Sequence, residues 1–292
     1  MKVQAGVPLS EVEAEIGRHS KEMFQNVAQQ QSPPPWTDSP LEPVWVYESD
    51  VSGTLVGSVA GLAASHHGAE PGNPGRLVGN SYALPTRDEQ GALLSMTDLG
   101  AHVRRFHECA AAEPGRQFRI MPGTRSKSES EHELFAGLFR TVPGNVILPG
   151  RMLEFLGRLK TARIVLRDIN VRVPETDCRE KALREYFACN AALWGADEIE
   201  IVSYGSPQVL VANEKFVRDS GYKHRILSVN DQYYGRQTAK VRELLSITYA
   251  TRLLCVGDPM GTSTGTHVAS LQLATLCGLA LADVLVDNAL TV

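Results

Sequence analysis

The chain has 292 residues, of which 43% are hydrophobic and 21% are charged, and its formal net charge is −4. This composition is that of a folded globular protein with room for two domains, and the negative charge argues against broad electrostatic binding to nucleic acid. No apolar run approaches the roughly 18 residues that span a bilayer, and no signal-peptide core begins the chain, so we expect a cytoplasmic protein without a membrane partner.

Residues 1–41 are predicted to form a helical arm and a proline-rich linker. Ser10 and Glu13 have the spacing of a capping box, and apolar residues follow them with helical periodicity. The three prolines at 33–35 then favour an extended segment. Such an arm either packs on its own body or docks on a neighbouring subunit, and we expect a homo-oligomer through the arm.

Residues 42–150 have the mixed pattern of a first α/β unit. Thr97 is predicted to cap one helix, and Ser128 with Glu131 has the spacing of a capping box at the start of another. Pro149 and Gly150 mark the expected end of the unit. Strands are predicted at 44–47, 118–121 and 146–148, and helices at 51–67, 97–112 and 128–140.

Residues 151–292 alternate more regularly and are predicted to form a second α/β unit with a parallel sheet. Helical segments between the strands indicate right-handed βαβ crossovers, and ligands bind outside the carboxyl ends of such strands. We therefore expect the loops at 204–207, 230–236 and 257–266 to share one edge. Strands are predicted at 163–166, 198–202, 225–229 and 253–256, and helices at 177–194, 207–220 and 236–249.

The glycine- and hydroxyl-rich segment between Val256 and His267 is predicted to hold a phosphate group. It lies between a predicted strand and a predicted helix, so free backbone N–H groups and the positive helix end favour an anion there. The alternative is a turn that only caps the helix. The expected ligand contacts in this segment are Gly261, Thr262, Ser263, Thr264, Gly265 and Thr266.

The other two loops are expected to supply the remaining contacts of this site. Arg236 is expected to counter the ligand's charge, although it also fits a solvated helix face. Tyr234 fits either a stacking contact with a base or ribose, or an interface. Further expected ligand contacts are Gly205, Ser206 and Gly235.

Two groups of polar residues have competing interpretations. Glu243 and Asp258 are the candidate catalytic carboxylates for cleavage of an N-glycosidic bond, with ordinary ion pairs as the alternative. Asn80 and Ser81 of the first unit are candidates for binding a ribose, with a turn that satisfies its own backbone as the alternative. The five cysteines form no CxxC pair, so no metal site is expected, and no particular cofactor is indicated.

Motifs of the second unit resemble the YspA-like members of the Rossmann-like SLOG superfamily over about residues 160–280. These motifs are Tyr233-Tyr-Gly-Arg236, Val241-Arg-Glu243 and Gly261-Thr-Ser-Thr-Gly-Thr-His267, in that order. The resemblance implies a Rossmann-like sheet, a nucleotide-derived ligand and, in some relatives, cleavage of N-glycosidic bonds. Gly205 and Ser206 stand at the family's first glycine-rich loop. Ala269 stands where the related cytokinin-activating phosphoribohydrolases have a glutamate.

The first unit resembles a family of small phage-encoded α/β proteins with a macro-domain-like pattern, over about residues 43–150. The segments that carry the resemblance are His67-Gly-Ala69, Gly79-Asn-Ser-Tyr-Ala-Leu-Pro-Thr-Arg-Asp88 and Asn145-Val-Ile-Leu-Pro149. The family's glycine-rich loop corresponds here to Gly123-Thr-Arg-Ser-Lys-Ser128, which lacks those glycines. The resemblance implies a bacteriophage or prophage protein that acts in the cytoplasm of a bacterial host.

These observations lead to three functional hypotheses. The first is a phage-type protein that binds a nucleotide-derived small molecule and, as an enzyme, would hydrolyse or transfer it. The second is a non-catalytic assembly or interaction scaffold built on degenerate nucleotide-binding folds, which the altered loop near Gly123 and Ala269 favour. The third is sequestration of a host nucleotide signal, which requires binding without turnover.

Overall fold

The computed structural model describes residues 42–123, 128–169, 176–204, 207–227, 229–257 and 265–285. The predicted helical arm at 1–41 lies outside these residues. The described chain is a mixed α/β protein with two five-stranded sheets, and the predicted fold class of two α/β units is confirmed. Within the described ranges no helix is both long enough and apolar enough to cross a membrane.

The first sheet has the strand order β2-β3-β1-β4-β5, in which β2 alone runs antiparallel to its neighbour. Because β3 and β4 lie on opposite sides of β1, the direction in which strands are added reverses between β1 and β4. The strands are β1 (Val44–Asp50), β2 (Leu77–Val78), β3 (Ser81–Arg87), β4 (Phe118–Ile120) and β5 (Val146–Ile147). The helices of this part of the chain are α1 (Ser58–His66), α2 (Met96–Ala112), α3 (Glu129–Gly137) and α4 (Gly150–Phe155).

The second sheet is parallel throughout, and its strand order is β10-β9-β6-β7-β8. Counted from its own first strand, this is the Rossmann order 3-2-1-4-5, with the reversal between β6 and β9. The strands are β6 (Thr161–Ile169), β7 (Glu198–Ser203), β8 (Lys223–Ile226), β9 (Arg252–Gly257) and β10 (Ala280–Leu285). The helices are α5 (Thr176–Asn190), α6 (Pro207–Ser220), α7 (Asp231–Tyr234), α8 (Thr238–Tyr249) and α9 (Gly265–Leu276).

Each sheet is covered on both faces, because its strands carry apolar residues on both sides. Val44 and Val46 face a core with α2, α3 and α4, whereas Trp45 and Tyr47 face α1 and α8. In the second sheet, the core that contains Val165 packs against α8 and α9, and the opposite core packs against α5 and α6.

Helix α8 is shared by the two sheets. Its Val241 and Leu244 are buried in the cluster that includes Trp45 of the first sheet, and Ile247 is buried in the core that includes Val165 of the second. Residues 246–250 are all buried. The two units therefore pack around one helix, and each covers a different side of it.

Local sequence signals located most elements well. The capping box of Ser128 and Glu131 at the start of α3 is confirmed. The predicted cap at Thr97 is wrong, because the Oγ of Ser95 accepts the N–H of Asp98 and the helix begins at Met96. Strands β2 and β10 were not predicted, and no strand bounds were predicted for β3.

The contact between the units is tightest at Gly150, the first residue of α4. A Cβ added there would lie 2.1 Å from the carbonyl oxygen of Tyr249 and 2.7 Å from that of Ala250, both at the end of α8. Since neither backbone oxygen can move without shifting the helix, this position requires glycine.

We predict that Gly150→Ala lowers the free energy of unfolding by about 1–3 kcal/mol or more, as expected for overpacking. Gly144→Ala is the matched control, because a Cβ at that loop position would meet nothing within 4 Å. Urea denaturation of both variants and of the wild type would measure the difference. Equal stability of all three proteins would contradict the close contact.

Candidate functional site

The reversal of strand order between β6 and β9 creates a crevice at the carboxyl edge of the second sheet, where open parallel sheets bind ligands. Strand β6 ends at Ile169 and β9 ends at Gly257. The φ angle of Gly257 is 129°, a conformation that L side chains rarely adopt, so glycine is needed where the chain leaves the sheet. Helix α9 begins at Gly265, after the glycine-rich segment.

Arg167 lies on β6, opposite Cys255 of β9 and beneath this crevice. Its guanidinium carbon lies 5.8 Å from the centre of the Tyr204 ring. The Nε atom is buried, and among the described residues it has no hydrogen-bond partner and the guanidinium has no ion pair. An incompletely bonded guanidinium beside a ligand crevice is a candidate anion contact.

Glu243 of α8 reaches the same edge from the neighbouring helix layer. Its Oε1 accepts hydrogen bonds from the hydroxyl of Tyr204, at 3.4 Å, and from the hydroxyl of Ser270 on α9. Tyr204 and Ser270 are buried, whereas Glu243 is half-buried. The carboxylate is thus oriented by two hydroxyl donors on one oxygen, and its Oε2 receives no hydrogen bond from any residue that the structure describes.

The opposite charges of Arg167 and Glu243 both lie beside Tyr204 but form no ion pair within 4 Å in the described chain. Burial and, next, the Glu243 carboxylate raise the pKa of Tyr204 to about 12, against the opposing effect of Arg167. Tyr204 therefore stays protonated at neutral pH and keeps donating to Glu243. The result is a cation near the ring of one tyrosine and a hydrogen-bond acceptor at its hydroxyl.

The other face of this edge carries a buried chain of hydrogen bonds. Arg179 donates to the Oδ1 of Asn213 at 2.5 Å, and the Nδ2 of Asn213 donates to the Oγ of Ser203 at 3.0 Å. Ser203 is also hydrogen-bonded to the Nε2 of His224, at 2.8 Å. These bonds tie α5 and α6 to the end of β7 and to the start of β8, and so fix the backbone that positions Tyr204.

Most predicted contacts in the glycine-rich loops lie outside the described residues. Gly265 and Thr266 form the start of α9, and the side chain of Thr266 is outside the description. The residues outside it altogether are Gly205, Ser206, Asp258, Gly261, Thr262, Ser263 and Thr264. Their predicted roles remain predictions.

The predicted residues around α7 have different surroundings from Glu243. Gly235 and Arg236 belong to an exposed 3₁₀ turn between α7 and α8. Asp231 forms an ion pair with Arg242, at 3.3 Å, on the exposed side of this region. Glu243, by contrast, has hydroxyl partners.

Tyr234 is buried in the contact between the two units. Its hydroxyl lies 3.0 Å from the Nε2 of His67 and donates to the Oε2 of Glu42 at 3.3 Å. The His67 ring stacks on Trp45, with 4.2 Å between ring centres. Tyr234 therefore has the surroundings of the interface alternative, and the neighbouring Tyr233 donates to the carbonyl of His66.

Asn80 and Ser81 lie at the amino end of β3, away from the carboxyl edge of their own sheet. The Oδ1 of Asn80 accepts from Arg116 at 2.6 Å, and the Oγ of Ser81 donates to the carbonyl of Val78 at 2.8 Å. Ser81 thus bonds to a backbone group of its own turn, as the turn alternative requires, whereas Asn80 bonds to the side chain of Arg116.

The carboxyl edge of the first sheet has a different character. After β1, the carboxylate of Asp50 accepts the backbone N–H groups of Ser52 and Thr54, both at 3.0 Å. Partial burial alone would raise the pKa of Asp50, but the hydrogen bonds from Thr54 and Ser52 outweigh it and lower the pKa to about 2. An internal carboxylate thus uses the N–H donors that an external anion would need.

Sequence reasoning missed Arg167, Tyr204 and Ser270. Arg167 lies inside a strand, where an alternating pattern indicates only which face a side chain occupies. Tyr204 lies within a predicted loop, and Ser270 lies in a helix predicted only as an apolar stripe. The available signal was the position of Arg167 and Tyr204 at the ends of adjacent predicted parallel strands.

Comparison with protein-family models, curated proteins and solved structures finds no significant match to this chain. Among the residues that the structure describes, no group of three histidine, cysteine, aspartate or glutamate side chains is arranged to hold a metal ion.

The buried imidazole of His67 predicts a loss of stability in acid. Burial, followed by the charges of His66 and Arg119, lowers the pKa of His67 from 6.5 to about 3. The unfolded chain binds this proton more readily, so the free energy of unfolding falls as the pH drops from about 6.5 towards 3.

We predict that His67→Gln makes the free energy of unfolding less dependent on pH, because glutamine has no proton to bind. Between pH 4 and 6 the slope should fall by up to ~1.4 kcal/mol per pH unit. Urea denaturation of the wild type and the variant at a series of pH values measures this free energy. Above pH 7 the two curves should run parallel, whatever the offset from lost packing. Parallel curves in acid as well would contradict a buried, neutral His67.

Proposed function

We propose that the protein binds a nucleotide-derived small molecule through a phosphate group in the crevice between β6 and β9. The observation that carries this proposal is Arg167, whose buried Nε lacks a hydrogen-bond partner in the described chain. Leaving a buried donor unsatisfied costs free energy, so a bound anion would recover what the folded protein has given up.

Two further features support an anionic ligand at this position. The start of α9 follows the end of β9, and the sequence between them contains Gly261 and three hydroxyl residues before Gly265. A helix of this length directs free N–H groups and a partial positive charge towards its first turn. Arg167 lies on the neighbouring strand β6, so both positive features flank the same crevice.

Binding is the function proposed, and turnover would be an additional property. Glu243 is the described carboxylate of this edge, and cleavage of an N-glycosidic bond requires a carboxylate near the sugar. Recovery of the ligand intact after incubation would favour sequestration, whereas release of a free base would favour a hydrolase.

We predict that inorganic phosphate, nucleoside monophosphates or ADP-ribose raise the melting temperature of the wild type, because a ligand of the native state adds to its stability. Arg167→Gln should weaken binding by about 10- to 100-fold, the usual effect of losing a charge-assisted hydrogen bond. Isothermal titration calorimetry gives the dissociation constants.

Arg218→Gln is the matched control, since this arginine lies on α6 with its side chain 70% exposed and pairs with Asp219. It should bind like the wild type. If no anion binds at millimolar concentration, or if both variants bind equally, the proposal is wrong, and the interaction scaffold becomes the better hypothesis.

A further inference from the structure

We infer that Glu243 selects the ligand by accepting a sugar hydroxyl, so that the site favours a ribose phosphate over a bare phosphate. This inference rests on the proposed function, because it concerns the same crevice. It adds a specificity-determining residue, Glu243, and two positioning residues, Tyr204 and Ser270. It also predicts that Glu243→Gln weakens the binding of ribose 5-phosphate but does not weaken the binding of inorganic phosphate.

The carboxylate of Glu243 is oriented by its hydrogen bonds. Both hydroxyl donors, from Tyr204 and Ser270, bind Oε1 of Glu243. A carboxylate has about four acceptor positions on its two oxygens, so Oε2 keeps its capacity to accept. The half-buried side chain is therefore fixed in direction and still able to bind a donor from a ligand.

The negative charge of the carboxylate determines which ligand group it can bind. An oxygen that only accepts cannot favour a phosphate, whose oxygens are also acceptors, and two like charges repel. The group that suits Oε2 beside a phosphate is a neutral hydroxyl or another uncharged donor. Sugar hydroxyls meet this need, because they donate to a carboxylate while the phosphate of the same molecule binds Arg167.

The Arg167 guanidinium and the Glu243 carboxylate are separate from each other. Arg167 lies near the ring of Tyr204 and Glu243 accepts from its hydroxyl, and the two charged groups form no ion pair in the described part of the chain. A direct pair would cancel both charges and leave nothing for a ligand. Because Tyr204 keeps them apart, one molecule with a phosphate at one end and a hydroxyl at the other can use both.

The test is a titration of wild type, Glu243→Gln and Arg167→Gln with inorganic phosphate, ribose 5-phosphate and 2-deoxyribose 5-phosphate. Wild type should bind ribose 5-phosphate about tenfold more tightly than inorganic phosphate, the usual effect of one hydrogen bond to a charged group, and the deoxy sugar shows whether the 2-hydroxyl is the donor. Glu243→Gln should abolish this preference and leave phosphate binding unchanged or tighter, since a repelling charge is removed. Arg167→Gln should weaken all three.

Two further variants separate positioning from folding. Tyr204→Phe keeps the ring beside Arg167 but removes one donor to Oε1, so it should reduce the sugar preference and leave phosphate binding intact. Glu185→Gln is the matched control, because that carboxylate is 69% exposed on α5, and it should behave like the wild type. Melting temperatures report whether each variant folds.

The outcomes distinguish this inference from the proposed function. If phosphate binds through Arg167 but neither sugar phosphate binds more tightly than inorganic phosphate, Glu243 does not select a hydroxyl, and the inference alone is wrong. If Glu243→Gln weakens phosphate as much as ribose 5-phosphate, its role is structural, and the inference is again wrong. If no probe binds to the wild type, the proposed function and the inference are both wrong.

Discussion

The packing of helix α8 between the two sheets is the constraint on which the rest of the structure depends. Val241 and Leu244 are buried against the first sheet, and Ile247 is buried against the second. Because this helix is covered on both sides, separation of the units would expose apolar area in both cores at once. Glu243 lies between those buried positions, so the contact between the units also fixes the carboxylate at the edge of the second sheet.

The second sheet treats its buried charges in two different ways. Glu200 on β7 pairs with Arg225, at 2.7 Å, and with Arg163, at 3.6 Å, and it accepts a hydrogen bond from Tyr249. Arg167 and Glu243 at the carboxyl edge remain unpaired among the described residues. Glu200 thus has ion-pair and hydrogen-bond partners within the sheet, whereas Arg167 and Glu243 have no ion-pair partner among the described residues.

Sequence reasoning recovered the order of the elements better than the contacts of the site. Strands β6 to β9 of the second unit and most of its helices follow from the local pattern of apolar residues, whereas β10 was not predicted. For Asn80 the sequence left two interpretations open, because a short polar segment has the same pattern whether its partner is a ligand or Arg116. Arg167 and Ser270 escaped notice because their pairing with Tyr204 and Glu243 depends on strand order and on how α8 and α9 pack, which no local pattern encodes.

The carboxyl edges of the two sheets differ in the groups that they offer to a ligand. Each sheet reverses its strand order, so each has the crevice that suits a ligand. In the first, the loop N–H groups of Ser52 and Thr54 already bind Asp50, and an incoming anion would have to displace a carboxylate that is covalently part of the loop. In the second, the positive group is Arg167 and no described carboxylate competes for it. If the protein binds an anion as proposed, the second edge is the one that suits it, and the first unit contributes by packing against α8, which carries Glu243.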